Sequence, residues 1–237
     1  MGEQPITVHE AYRATRERFT AFGRALTDEQ ARTPVPALPG WTVKDTYSHL
    51  AGLASDVVGG NVPAGVPDEE FTGREVAERA ALTLAEVLDE WDTSGPAFEQ
   101  ILEAFGDAAP RNAAIDVWTH EVDVRSALGA PIPPDGGPAE RVLDGMVRRG
   151  VGRGWSERGI PALRIVVPDD EWVAGEGEPA GTLRTDTFEL GRVMLGRRSP
   201  AQMARLGWDG GDPKVWIASM PVFGPAQVDV VDSPRRA

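Results

Sequence analysis

The spacing of apolar residues shifts from helical to strand-like near residue 160, so the chain cannot be one uniform architecture. Before that point the period is helical. Val8, Tyr12, Thr15, Phe19, Phe22 and Leu26 step by four and three, one stripe of an amphipathic helix. Its start is marked by Thr7-Val-His-Glu10, in which hydroxyl and carboxylate can satisfy each other's free backbone N–H groups. Pro34, Pro36 and Pro39-Gly40 close that segment. A second helix is expected from Thr42 to about Val58, with Val43, Tyr47, Leu50, Ala54 and Val57 on one side. A third opens at the capping box Thr72-Gly-Arg-Glu75 and runs through Ala80, Leu84, Val87 and Trp91. It is disturbed at Asp92–Pro96 and resumes with Phe98, Ile101, Leu102 and Phe105. A fourth begins after Pro110 and stops at Gly129, where a left-handed residue suits a helix end. Four such helices with short breaks imply an antiparallel bundle over residues 1–130.

Gly129-Ala-Pro-Ile-Pro-Pro-Asp-Gly-Gly137 suits neither helix nor strand and reads as a linker. Beyond it, a fifth helix is expected over Pro138–Arg158. Then the period shortens: Leu163–Val167, Glu171–Val173 and Gly181–Thr185 read as strands separated by turn residues. Asp186-Thr-Phe-Glu189 and Ser199-Pro-Ala-Gln202 open two short helices, and Asp209-Gly-Gly-Asp212 is a turn. The fold class is therefore α+β: a helical bundle, then a smaller α/β domain at 138–224 with a short sheet. The tail at 225–237 has no clear element.

Composition narrows the function. The chain of 237 residues has no cysteine, which excludes disulfide scaffolds, thiolate metal sites and a cysteine nucleophile. A net charge of −13 argues against a nucleic-acid partner. The first ten residues lack a basic-then-apolar signal, and no apolar run is long enough to span a membrane. A cytoplasmic protein without membrane or nucleic-acid partners is the expectation.

Only three histidines are present, so each can be weighed. His9 lies beside Arg13 and Arg16 on the polar side of its helix and reads as a surface residue. His49 falls about 40° from Leu53, at the margin of its helix's apolar arc. On the fourth helix Ala113, Asp116, His120, Asp123 and Ala127 recur by three and four, so they share one stripe, flanked by Ile115, Val117, Val122, Val124 and Leu128. Glu121 and Arg125 fall on the opposite face, a pair suited to solvent. Burying Asp116 calls for a partner charge or a metal. An acid and a histidine four apart are how bundle helices present ligands to an interior site. His49 is the remaining histidine placed to add a third donor. A buried His–Asp hydrogen bond inside a helical core explains the spacing equally well.

Two segments carry a resemblance that bears on this choice. Trp41-Thr-Val-Lys-Asp-Thr-Tyr-Ser-His49-Leu-Ala-Gly52 and Asp116-Val-Trp-Thr-His120-Glu-Val-Asp123-Val-Arg125-Ser-Ala-Leu-Gly129 resemble the signature segments of the mycothiol-dependent maleylpyruvate isomerase family. The first half is similar to that family's DinB-like metal-binding bundle. The second, through Phe188–Ser199 and Trp208, is similar to its smaller sterol-carrier-like domain. The resemblance implies that His49, Asp116 and His120 bind a divalent metal, with zinc suited to the donor set. The family pattern has Glu where this chain has Asp116, one methylene shorter.

The resemblance also implies mycothiol as the thiol cofactor and a small-molecule substrate. A metal-held thiolate would add to the cis double bond of the substrate; rotation and loss of the thiolate would leave the trans isomer. The alternatives are a mycothiol S-transferase acting on an electrophile and a non-catalytic metal-binding or regulatory relative. Asp123 is a candidate to orient a ligand, Trp41 and Trp118 read as core or pocket wall, and Arg197 and Arg198 are candidates for a clamp on a substrate carboxylate. The segment from about Leu163 to Trp216 is expected to wall the substrate cleft.

Overall fold

The computed structural model describes residues 7–62, 68–133 and 137–235. The helices of the first part are α1 (Val8–Arg24), α2 (Asp28–Ala31), α3 (Val43–Val58), α4 (Glu69–Glu78), α5 (Leu84–Phe105) and α6 (Asn112–Ala127). The chain then runs through α7 (Gly137–Gly150), β1 (Leu163–Val167), β2 (Asp170–Ala174), β3 (Gly181–Arg184), α8 (Thr187–Met194), α9 (Pro200–Ala204), β4 (Gly207–Asp209) and α10 (Lys214–Ile217). It divides into two compact units: Met1–Val142 with Asp232–Ala237, and Leu143–Val231.

In the first unit the four long helices α1, α3, α5 and α6 pack as a bundle, with α4 laid against α3. Capping boxes at Thr7/Glu10 and Thr42/Asp45 start α1 and α3 as the sequence indicates. The core is aromatic. Phe19 stacks on Tyr47 at 4.3 Å, and both meet the edge of Trp91 at 6.3 Å. The buried polar tips are satisfied: Trp91 Nε1 donates to Tyr12 Oη at 3.0 Å, and Tyr47 Oη donates to the Phe19 carbonyl at 3.0 Å. Gly23 is required here, because a Cβ on it would lie 2.8 Å from the Tyr47 ring.

In four respects this region differs from the expectation. The expected third helix is two helices. Thr83 and Glu86 form a further capping box that starts α5, so the chain turns between α4 and α5 where apolar spacing suggested continuity. Conversely, Asp92–Pro96 does not interrupt α5. Gly95 leaves room for Arg16, whose Cδ would sit 2.5 Å from an added Cβ. Arg16 is thereby buried, reaching Glu99 at 2.7 Å, and not on a polar face. Finally, Glu121 is not at the solvent side: it is 1% exposed, held by the Arg18 fork and by Arg125 at 2.8 Å. The Arg125 guanidinium in turn covers the Phe22 ring at 4.2 Å. The helical wheel placed Glu121 outside because the partner that encloses it comes from α1. Glu121→Gln should lower stability by about 1–3 kcal/mol in urea unfolding, since one buried anion serves two guanidiniums.

The second unit is built on a four-stranded sheet in the order β2-β1-β3-β4. β1 pairs antiparallel with β2 and parallel with β3, and β3 pairs antiparallel with β4. Leu163, Ile165 and Val167 point to the buried face while Arg164 and Val166 are half-exposed, the alternation of a one-sided sheet. Sequence reading found β1 to β3 and missed β4, a three-residue strand too short to show a period. The fifth helix ends at Gly150, eight residues before the expected Arg158. Gly152 and Gly154 take positive φ, and the Gly152 backbone lies so close to Ala174–Gly175 that a Cβ would meet Gly175 N at 2.1 Å.

Two chain segments complete the picture. The linker's residues 134–136 lie outside the described residues. The described part of the tail, 225–235, forms no helix or strand, yet it is held: Ser233 N donates to Ser126 Oγ at 3.0 Å, Ile132 bridges Arg235, and Arg235 pairs with Glu140 at 3.0 Å. Among the described residues, no helix is long and apolar enough to cross a membrane.

Candidate metal centre

Three elements bring the chemistry together. α6 is buried along nearly its whole length; from residue 113 to 124 only Asp116 is not buried. One turn on, His120 lies beside it, with Nε2 3.3 Å from Asp116 Oδ1. From α3, His49 aims Nε2 at the other oxygen, Asp116 Oδ2, at 3.2 Å. The rings of His49 and His120 stand edge to face with centroids 5.3 Å apart. The three donor atoms all lie within 4.8 Å of one another.

Burial is uneven. The side chains of His49 and His120 are 4% and 6% exposed, whereas that of Asp116 is 30% exposed. The carboxylate is therefore the open edge of the cluster. Trp41 covers another side, its ring 5.4 Å from His49 and 6.3 Å from His120. It is brought there by the turn before α3: Gly40 takes φ 87°, Trp41 N donates to the Leu38 carbonyl, and Val35 N donates to the Trp41 carbonyl. Trp118 is buried in the core.

The far nitrogens of the two imidazoles are placed differently. His49 Nδ1 meets Glu75 Oε2 of α4 at 2.6 Å. His120 Nδ1 faces the buried Asp123, whose Oδ2 is 3.6 Å away, too long for a hydrogen bond. The Thr72-Gly-Arg-Glu75 pattern predicts Glu75 as part of a helix cap. Its carboxylate is instead fully buried on His49, while Asp68 caps α4. The one sequence signal for this is Gly52, three residues after His49 in the quoted motif. A Cβ there would lie 2.8 Å from Glu75 Cβ and 2.7 Å from Arg79 Nη1, so the glycine lets α4 approach α3.

Electrostatics follow from the geometry. Burial disfavours a charged His49, but Asp116 and Glu75 outweigh it and push its pKa up to about 9. Burial likewise works against Asp116 as an anion, and the imidazoles of His120 and His49 more than offset it, holding the carboxyl well below the usual carboxylate range. Glu75 is raised, chiefly by burial.

The remaining candidates sit elsewhere. His9 is half-buried at the start of α1, with Nδ1 3.0 Å from Thr7 Oγ1. Arg197 and Arg198 are both buried in the second unit. Arg198 forks onto Glu189 at 2.7 Å through two nitrogens, and Arg197 Nη1 donates to the Leu195 carbonyl at 2.6 Å. As carboxylate clamps they would have to exchange these bonds for substrate.

Residues 12–128 match the family model of the mycothiol maleylpyruvate isomerase N-terminal domain. This half of the chain belongs to that family. The match contains α3 and α6, and hence all three clustered donors. The fold is also that of solved relatives. The crystal structure of a mycothiol-dependent maleylpyruvate isomerase aligns over 80% of this chain and 88% of its own, at TM-score 0.59 and 16% identity. That of a histidine-to-alanine mutant of a mycothiol-dependent maleylpyruvate isomerase aligns over 87% and 93%, at TM-score 0.60 and 15% identity. No curated protein matches the chain by sequence.

Proposed function

We propose that the chain is a metal- and mycothiol-dependent enzyme that isomerises a small unsaturated acid from cis to trans, with the metal held by His49, Asp116 and His120. The observation that carries the reading is the convergence of two imidazole Nε2 atoms on one carboxylate at 3.2 and 3.3 Å. Donors around a zinc ion with bonds near 2.0–2.1 Å are about 3.3 Å apart, which matches each of these two nitrogen–oxygen separations, and the three donors all lie within 4.8 Å of one another. Two neutral nitrogens and one carboxylate leave a net positive charge and at least one open position, which suits a catalytic site more than a closed structural one. Bound there, such a metal would stabilise an incoming thiol as its thiolate at neutral pH.

The chain's own residues supply the rest. The two buried histidines exclude water from the inner side of the site, and Trp41 closes one flank. The exposed edge at Asp116 leaves an entry for thiol and substrate. Because the chain has no cysteine, the nucleophilic sulfur has to arrive with a small thiol, which points to a cytoplasmic setting where such thiols stay reduced. The test is to count free thiol while maleylpyruvate is turned over by the metal-loaded protein with mycothiol. Isomerisation that requires the thiol yet leaves its concentration unchanged is expected. Stoichiometric thiol consumption would reassign the chain to S-transfer, and turnover unaffected by thiol would reject both.

A further inference from the structure

We infer that Glu75 is a positioning residue for His49: its buried carboxylate holds the proton on Nδ1, so that Nε2 is presented to the metal site as a lone pair. This rests on the metal reading above and concerns a residue outside the three donors.

The case begins with what α4 buries. A short helix packed on a bundle ordinarily covers an apolar stripe. In α4, Glu75 is the only buried residue, and it is 0% exposed. Its Oε2 lies 2.6 Å from His49 Nδ1, while Oε1 has no hydrogen-bond partner among the described residues. A buried carboxylate with one unpaired oxygen is a poor device for stability. The arrangement makes sense if the oxygen on His49 matters more than the cost of burying the other.

The helix is fastened independently of that carboxylate. Arg79, at the end of α4, forks onto Glu90 of α5 at 2.9 and 2.6 Å and donates to the Glu75 carbonyl at 2.8 Å. Lys44 of α3 donates to the carbonyls of Arg79 and Ala80 at 2.9 Å. Arg74 pairs with Asp56 of α3 at 2.7 Å. Together with the close approach permitted by Gly52, these bonds seat the Glu75 side chain where it meets His49. Removing the carboxylate therefore leaves α4 docked while freeing the imidazole to rotate or change tautomer. Ligating histidines braced in this manner lose about 10–100-fold in metal affinity when the brace is removed.

The experiment measures zinc affinity by competition with a chromophoric chelator in the wild type, Glu75→Ala and Glu75→Gln. Nitrogen-15 histidine spectra of the zinc-loaded wild type and variants accompany it. Glu75→Ala should weaken zinc about 10–100-fold with helix content unchanged. Glu75→Gln should recover part of the loss, because its amide oxygen still accepts from Nδ1–H. In the wild type, the spectra should place the His49 proton on Nδ1 and the metal on Nε2. Wild-type affinity in both variants, or metal on Nδ1 of His49, would overturn the inference and leave the metal site standing. A wild type that binds no zinc would instead overturn the metal reading, and this inference with it.

Discussion

Purified protein should carry about one divalent metal per chain, and His49→Ala combined with His120→Ala should remove it entirely. Two of the three donors come from these side chains, and the third cannot hold a metal alone against water. His120→Ala alone should also empty the site under chelator challenge, because one nitrogen and one carboxylate then remain. His49→Ala should also destabilise the fold, by about 1–3 kcal/mol, because it leaves the buried Glu75 carboxylate without its hydrogen-bond partner. Elemental analysis after dialysis, with circular dichroism to check the fold, makes the measurement. Equal metal in the wild type and the double variant would refute the assignment of His49 and His120 as ligands.

The second large effect is on pH. Metal affinity should rise by at least about 100-fold between pH 6 and pH 8, about tenfold per unit for each proton displaced. Without metal, the His49 pKa is pushed up to about 9, so over this range the ion must displace a proton from the ring. Asp116 adds no further dependence here, because its carboxyl is held well below the usual range and is already ionised. At least about one proton, that of His49, should be released per metal bound, measurable in weakly buffered solution. The metal-free fold should show the opposite trend. A histidine whose folded pKa lies above its ordinary value near 6.5 stabilises the fold fully below that value and loses the contribution as pH rises through about 9. Thus between pH 6.5 and 9 the metal-free protein should become less stable while the metal-loaded protein becomes relatively more so. Affinity independent of pH from 6 to 8 would show that His49 is not the proton-bearing ligand.

Much of this site was legible in the sequence because helix geometry is local. The three-four spacing alone places Asp116 and His120 side by side, whatever surrounds α6. The starts of α1 and α3 follow from side chains three residues apart, and Gly129 takes the expected positive φ just after α6. Even the N-terminal family could be inferred from segments around His49 and His120, since each motif is one short contiguous stretch of chain. His49 itself was less secure, for its place at the edge of an apolar arc allowed a core role as well as a ligand role.

The sequence by itself determined the helical first half, the later sheet, and the paired acid and histidine on one turn of α6. Only the tertiary structure decided which charges are buried together. Glu75 lies 26 residues from His49 and belongs to another helix, so no periodicity links them; the approach of α4 to α3 at Gly52 does. Glu121 looked exposed on its own helix and is enclosed because Arg18 of α1 reaches across to it. β4 exists because β3 offers it an edge, its three residues carrying no pattern of their own. The physical reason is common to all three. Backbone hydrogen bonding and caps act over a few residues and can be read along the chain, whereas burial and ion pairing depend on which surfaces meet when the elements pack.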